Sequence, residues 1–145
     1  MSSFLDLCTG LAEKNFETGQ VLIEAGTRTG LLYILIQGGV EIVKDDHVIG
    51  SINVPGSVFG EISFLLNLPH TATVRAHMPS KFYVTSDPQE LFKTHPLAYY
   101  HISVSLAQRI RSLNEYLVEF KTQTTEEEQS PELAALVEVI LHRTA

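Results

Sequence analysis

One run of residues restricts the fold more than any other. Leu31-Leu32-Tyr33-Ile34-Leu35-Ile36 is unbroken apolar sequence of strand length. A strand with alternating polar residues can leave one face in water, but this one needs cover on both faces. Other short segments of strand character surround it. Val21-Leu22-Ile23-Glu24 is β-branched and apolar and is closed by Ala25-Gly26. Val40-Glu41-Ile42-Val43 and residues 47–52 flank Lys44-Asp45-Asp46, the pattern of a hairpin. Residues 72–76 and 81–85 read as two further strands, separated around Pro79-Ser80. Turn signals at residues 27–30, Gln37-Gly38-Gly39 and Pro55-Gly56 divide the strands. Many short strands with glycine turns predict a β-sandwich or a jelly-roll barrel.

Helical spacing frames this β region. Phe4, Leu5, Cys8 and Leu11 predict a short amphipathic helix over residues 3–12. Ser86-Asp87-Pro88-Gln89-Glu90 is a helix start, with a capping residue just ahead of proline, and His95-Pro96 ends that helix. From Leu97 onward Ile102, Leu106, Ile110, Leu113, Leu117 and Phe120 recur at three- and four-residue steps, predicting one long helix. Its apolar stripe has two possible partners, the barrel and a second copy of the helix. A homodimer through residues 97–121 is expected. Residues 121–129 are polar and charged, a linker or frayed end. Ser130-Pro131-Glu132 opens a last helix with Leu133, Leu136, Val137, Ile140 and Leu141 on one face. The expected organisation is a domain over 1–122, a linker over 123–130 and a terminal amphipathic helix over 131–145.

Composition removes several classes of function. At 145 residues the chain is about one domain with one real core. The net charge of −7, with scattered basic residues, argues against a nucleic-acid or anionic-membrane surface. No apolar run is long enough to span a bilayer, and the start lacks the basic residues of a secretory signal. Cys8 is the only cysteine, so no intrachain disulfide forms and a cytoplasmic setting is expected. Six histidines invite a metal, yet no H-x-H pair and no i, i+4 histidine pair occurs, and no metal site is expected. Neither G-x-S-x-G nor a Walker-type phosphate loop is present, so the chain is not expected to be an enzyme.

The most informative stretch runs from Phe59 to Ala76. Gly60 has no Cβ, so the backbone can turn there and a ligand can come close. Glu61 follows in the first turn of a short helix, whose free N–H groups point outward and can hold an anion. Ile62, Leu65 and Leu66 give that helix one apolar face, and Asn67-Leu68-Pro69 ends it. A backbone cradle for phosphate, with a carboxylate beside it, is the resulting plan.

This stretch resembles the phosphate-binding cassette of the cyclic nucleotide-binding domain family, the type found in catabolite activator protein and cAMP-dependent kinase regulatory subunits. The family pattern is close to F-G-E, several apolar residues, then P-R-[AST]-A-[TS]-V. Phe59-Gly60-Glu61, Pro69, Ala72, Thr73 and Val74 match it at its spacing. The run from Ile23 through Gly26, Gly30 and Tyr33 to Gly38 and Val40 is similar to the family's glycine-punctuated first half. The resemblance covers roughly residues 15–120. It implies a mainly β fold: a jelly-roll barrel with a short N-terminal helix, a long C-terminal helix and a last helix. It also implies a non-enzymatic regulatory module that binds cAMP or cGMP, uses no cofactor, and relays binding through its C-terminal helices to a protein partner. By resemblance Glu61 would accept a hydrogen bond from the ribose 2′-hydroxyl. Gly60, Ile62 and Ser63 would face the phosphate through their backbone, with His70 and Thr71 at its edge. No counterpart of the family's winged DNA-binding module is expected within these 145 residues, and no nucleic-acid or membrane partner is expected.

One position departs from the pattern: the family's phosphate-pairing arginine falls on His70. Arginine offers a permanent charge and a planar fork, whereas histidine, with an ordinary pKa of about 6.5, is mostly neutral at pH 7. Loss of one partner of a buried charge pair costs about 2–5 kcal/mol, roughly thirtyfold to several thousandfold in affinity. Arg75 is the nearest basic residue, but strand alternation turns it away from the His70 face. Three readings of His70 stay open: a weak phosphate contact that tightens in acid, a hydrogen bond to a neighbour such as Glu61, or a solvated loop residue. The missing arginine also keeps a second function open, a ligand-independent dimerisation or docking module with a degenerate pocket.

Overall fold

The computed structural model describes residues 3–123 and 130–143. Its β region consists of β1 (Ala12–Phe16), β2 (Val21–Ile23), β3 (Leu32–Gln37), β4 (Val40–Lys44), β5 (His47–Ile52), β6 (Val58–Phe59), β7 (Thr73–Ala76) and β8 (Ser80–Thr85). They form two four-stranded sheets, ordered β1-β8-β3-β6 and β2-β7-β4-β5, with antiparallel pairing throughout. Helices α1 (Phe4–Leu7), α2 (Glu61–Leu66), α3 (Pro88–Thr94), α4 (Leu97–Gln123) and α5 (Pro131–Arg143) complete the described chain. This is the mainly β, jelly-roll architecture with helices that the family resemblance implies, one of the two the strand pattern leaves open.

The two-faced burial expected of the apolar run is met. Tyr33 and Leu35 of β3 belong to the core between the sheets, while Leu32 and Ile34, on the other face, are equally buried. The centre of the core is aromatic. Phe82 of β8 is fully buried, and the rings of Phe16, Tyr33 and Phe59 meet it edge-on with centroids 5.6, 6.1 and 6.1 Å away. Edge-to-face contact suits the ring quadrupoles and adds to what burial alone provides. The β4–β5 hairpin closes in two residues, Asp45 and Asp46, at φ 50° and 62°. Both positive angles define the turn whose twist matches that of the strands it joins, and aspartate tolerates them.

The N-terminal helix is shorter than expected. It runs only from Phe4 to Leu7, with Ser3 and Asp6 capping each other's backbone, and residues 8–12 of the expected helix leave it. Ala12 instead begins β1, which pairs along its length with β8. The reason is that β1 is an edge strand with an exposed polar run, Ala12-Glu13-Lys14-Asn15. Backbone pairing holds such a strand, so no side-chain period announces it. Cys8 follows α1 and is buried, which pushes its thiol up to about 11 and leaves it unreactive.

Two compact units divide the chain, residues 1–102 and 103–145. In the first, Asp87 caps α3 by accepting from the Glu90 N–H at 3.1 Å, with Pro88 at its start. His101, in the opening turns of α4, stacks on Phe4 at 4.0 Å and donates from Nε2 to the Gly56 carbonyl at 3.0 Å. In the second, Lys121 pairs with Glu138 of α5, and Val137 is buried. Residues 124–129 of the expected linker lie outside the described residues. Among the described residues no helix is long and apolar enough to cross a membrane.

Phe82→Ala should lower the unfolding free energy by about 3–5 kcal/mol in urea titration, because three rings lose the one they meet. Val48→Ala, on an exposed position of β5, should change it by less than about 0.5 kcal/mol.

Candidate functional site

Strand β6 places the site. Its pairs with β3, Tyr33 opposite Phe59 and Ile34 opposite Val58, carry Gly60 to the start of β3. Gly60 caps α2 at φ 93°, a left-handed angle. A Cβ there would stand 2.6 Å from the Leu31 carbonyl oxygen. Angle and space therefore both require glycine. The first bond of the α2 ladder runs from the Phe64 N–H to the Gly60 carbonyl at 3.2 Å. The N–H groups of the preceding turn point out of the helix end, where its dipole is positive. At the other end Asn67 is also left-handed, φ 54°, and Ser63 donates its hydroxyl proton to the Leu68 carbonyl.

The apolar stripe of α2 faces outward. Ile62, Leu65 and Leu66 are exposed, whereas Glu61 is buried and Phe64 packs on Phe92 at 5.5 Å. Glu61 and Phe64, three residues apart, share a side, and the fixed entry through Gly60 turns that side inward.

His70 is tied to the loop between β2 and β3 by its backbone and its ring. Its carbonyl accepts from the Gly26 N–H at 2.8 Å, and its own N–H donates to the Thr27 carbonyl at 2.9 Å. Ring atom Nε2 lies 3.2 Å from Thr29 Oγ1, which also accepts from the Leu31 N–H at 3.2 Å. Only 6 % of the residue is exposed, so the solvated-loop reading of His70 is overturned, and the neighbour it meets is Thr29. Burial also pushes the imidazole below its ordinary pKa, leaving it neutral at pH 7.

A cavity of about 190 Å³ lies between α2 and this loop, and its wall includes Arg28, Gly60, Ser63, Phe64, Asn67 and His70. Of the six site residues expected from sequence, Gly60, Ser63 and His70 meet there. Glu61 is buried beside the wall, and Ile62 and Thr71 are exposed outside it. Arg75 is engaged elsewhere, in an ion pair with Glu41 at 2.9 Å, as strand alternation implied. Sequence reasoning missed Arg28. It sits in a segment readable only as a turn, yet its Nη1 donates to Asn67 Oδ1 at 3.2 Å across the cavity mouth. The volume is below the roughly 300–1,000 Å³ typical of ligand pockets.

A glycine-led helix start facing a buried residue 70 on one barrel cavity defines a class, and comparison agrees with it. Residues 13–92 match the family model of the cyclic nucleotide-binding domain, and the chain belongs to that family. It is 39 % identical over 69 residues to a cAMP-dependent protein kinase regulatory subunit of Yarrowia lipolytica, covering 48 % of this chain and 18 % of that one. The chain thus spans about a fifth of that curated relative's length. Among solved structures it is similar to cAMP-bound PfPKA-R, with TM-score 0.59, 27 % identity, and coverage of 77 % of this chain and 37 % of that one. It is also similar to the regulatory subunit of a cAMP-independent protein kinase A from Trypanosoma brucei, with TM-score 0.50, 29 % identity, and coverage of 55 % and 30 %.

A neutral buried His70 makes stability pH-dependent. The unfolded imidazole titrates near about pH 6.5 and the folded one lower, so between the two values the unfolded chain binds more protons. Stability is then full above about pH 6.5 and falls as the pH drops through the folded value. His70→Gln should flatten this acid limb in denaturant titrations. An unchanged slope would show that the ring titrates as it does in solvent.

Proposed function

We propose that this domain is a non-enzymatic sensor that binds a cyclic nucleotide, cAMP or cGMP, against the start of α2. One observation carries the reading: Gly60, Ser63 and the residue in the family's arginine position share one cavity wall. In this reading the Glu61 carboxylate accepts from the ribose 2′-hydroxyl, and the N–H groups after Gly60 face the phosphate. A neutral His70 forms no ion pair with that phosphate, so affinity is weaker than an arginine would give.

A row of rings supports relay to the helices beyond. Phe64 of α2 packs on Phe92 of α3, which stacks on Tyr99 of α4 at 4.0 Å. A ligand that favours one position of α2 biases Phe64 and, through Phe92, the start of α4. A protein partner reading α4 would sense the change.

Two observations favour the second reading, ligand-independent docking or dimerisation through α4. Ile110 and Leu113 are exposed on that helix, and the Trypanosoma brucei relative belongs to a cAMP-independent kinase.

Thermal melts with cAMP and cGMP separate the two. Ligand at a hundred times its dissociation constant adds about 2.7 kcal/mol, so millimolar ligand should raise the melting temperature. His70→Arg should bind at least about tenfold tighter, about 1.4 kcal/mol. No shift for either protein would contradict the sensor reading, and a dimer in light scattering would then favour docking.

A further inference from the structure

We infer that Arg28, from the loop between β2 and β3, supplies the positive charge for the ligand phosphate that residue 70 no longer supplies. The inference rests on the cyclic-nucleotide reading and adds a specificity-determining residue to it.

Position comes first. Arg28 lies on the same cavity wall as Gly60, Ser63 and His70. Both residues flanking it in sequence are bonded to His70, Thr27 through its carbonyl and Thr29 through its hydroxyl. His70 therefore holds the loop that presents Arg28 to the cavity, although its own ring brings no charge there.

Charge comes second. Among the described residues lining the cavity, Arg28 is the one permanent cation, and none is an Asp or Glu. An anion entering the cavity meets one cationic side chain, with the Glu61 carboxylate buried beside the wall on the ribose side. The six-residue helix start provides only dipoles, so the full charge comes from this loop.

Availability comes third. Arg28 is exposed, and its Nη1 donates one hydrogen bond, at 3.2 Å, to a neutral amide oxygen, Asn67 Oδ1. A hydrogen bond to an ionised oxygen is roughly twice as strong as a neutral one, and a guanidinium can meet phosphate with two. Exchange of Asn67 for phosphate is thus favourable. Arg75 lacks this freedom, because Glu41 already holds it. In the resting arrangement Arg28 spans the cavity mouth to the end of α2. On binding it would turn inward and release Asn67.

The test is calorimetric titration of the full chain with cAMP, and with adenosine as a probe that keeps base and ribose and lacks the phosphate. Arg28→Ala, Arg28→Lys and Arg75→Ala are compared with the unmodified chain at low and moderate salt, after melts establish that each is folded. Arg28→Ala should lose about tenfold or more in cAMP affinity, leave adenosine binding unchanged, and abolish most of the salt dependence of cAMP binding. Arg28→Lys should fall between, and Arg75→Ala should match the unmodified chain. If the unmodified chain binds cAMP and Arg28→Ala binds it equally well with the same salt dependence, the inference fails and the cyclic-nucleotide reading survives. Equal weakening towards cAMP and adenosine would also overturn the inference, because it marks a structural role. If the unmodified chain binds no cyclic nucleotide, the underlying reading fails and the inference with it.

Discussion

The first unit follows from the need to keep water off both faces of β3. Hydrogen bonds to β8 on one side and β6 on the other satisfy its backbone. The aromatic centre around Phe82 covers the inner face. Because β6 is the partner on the other edge, the chain leaves it next to the start of β3, where the Leu31 carbonyl tolerates only glycine. The site is therefore a consequence of strand pairing. The same contact that completes the cover of β3 creates the turn from which α2 begins.

Electrostatics at this turn run against simple expectation. A buried imidazole in the arginine position removes charge from the wall and gains a different task. Its backbone closes two hydrogen bonds with residues 26 and 27, and its ring meets Thr29. Desolvation keeps it neutral, which suits a residue bonded to a hydroxyl inside the barrel. What the wall loses at residue 70 reappears a short distance away at Arg28, on a loop that residue 70 holds in place. In the inferred arrangement anion recognition resides in the exposed Arg28 side chain, and the barrel wall supplies the backbone part of the site.

Much of this was legible in the chain, for physical reasons that differ by element. The apolar run at 31–36, the Asp45-Asp46 turn and the Asp87-Pro88 helix start each carry a local cause, so each is found where expected. β1 has no such cause, because an edge strand of polar residues is held by pairing with β8 and not by its own pattern. The outward turn of Ile62, Leu65 and Leu66 was illegible for a related reason. A six-residue helix takes its orientation from its anchored entry at Gly60, and spacing cannot tell which of two sides that anchor turns inward. Arg28 is the clearest omission. Its closeness to His70 spans about forty residues and is created by three hydrogen bonds that no sequence period encodes. Gly60 and Glu61, by contrast, stand out in the sequence, since backbone geometry at a helix start demands particular residue types.

The central claim is that the start of α2 and the His70-bound loop are two walls of one ligand site. The most direct measurement is the backbone amide spectrum of the nitrogen-15-labelled chain during titration with cAMP. The account predicts that the amides of residues 27–31 and 60–63 shift together and saturate along a single binding curve. Saturable shifts confined to other parts of the barrel, or movement of one wall without the other, would contradict it.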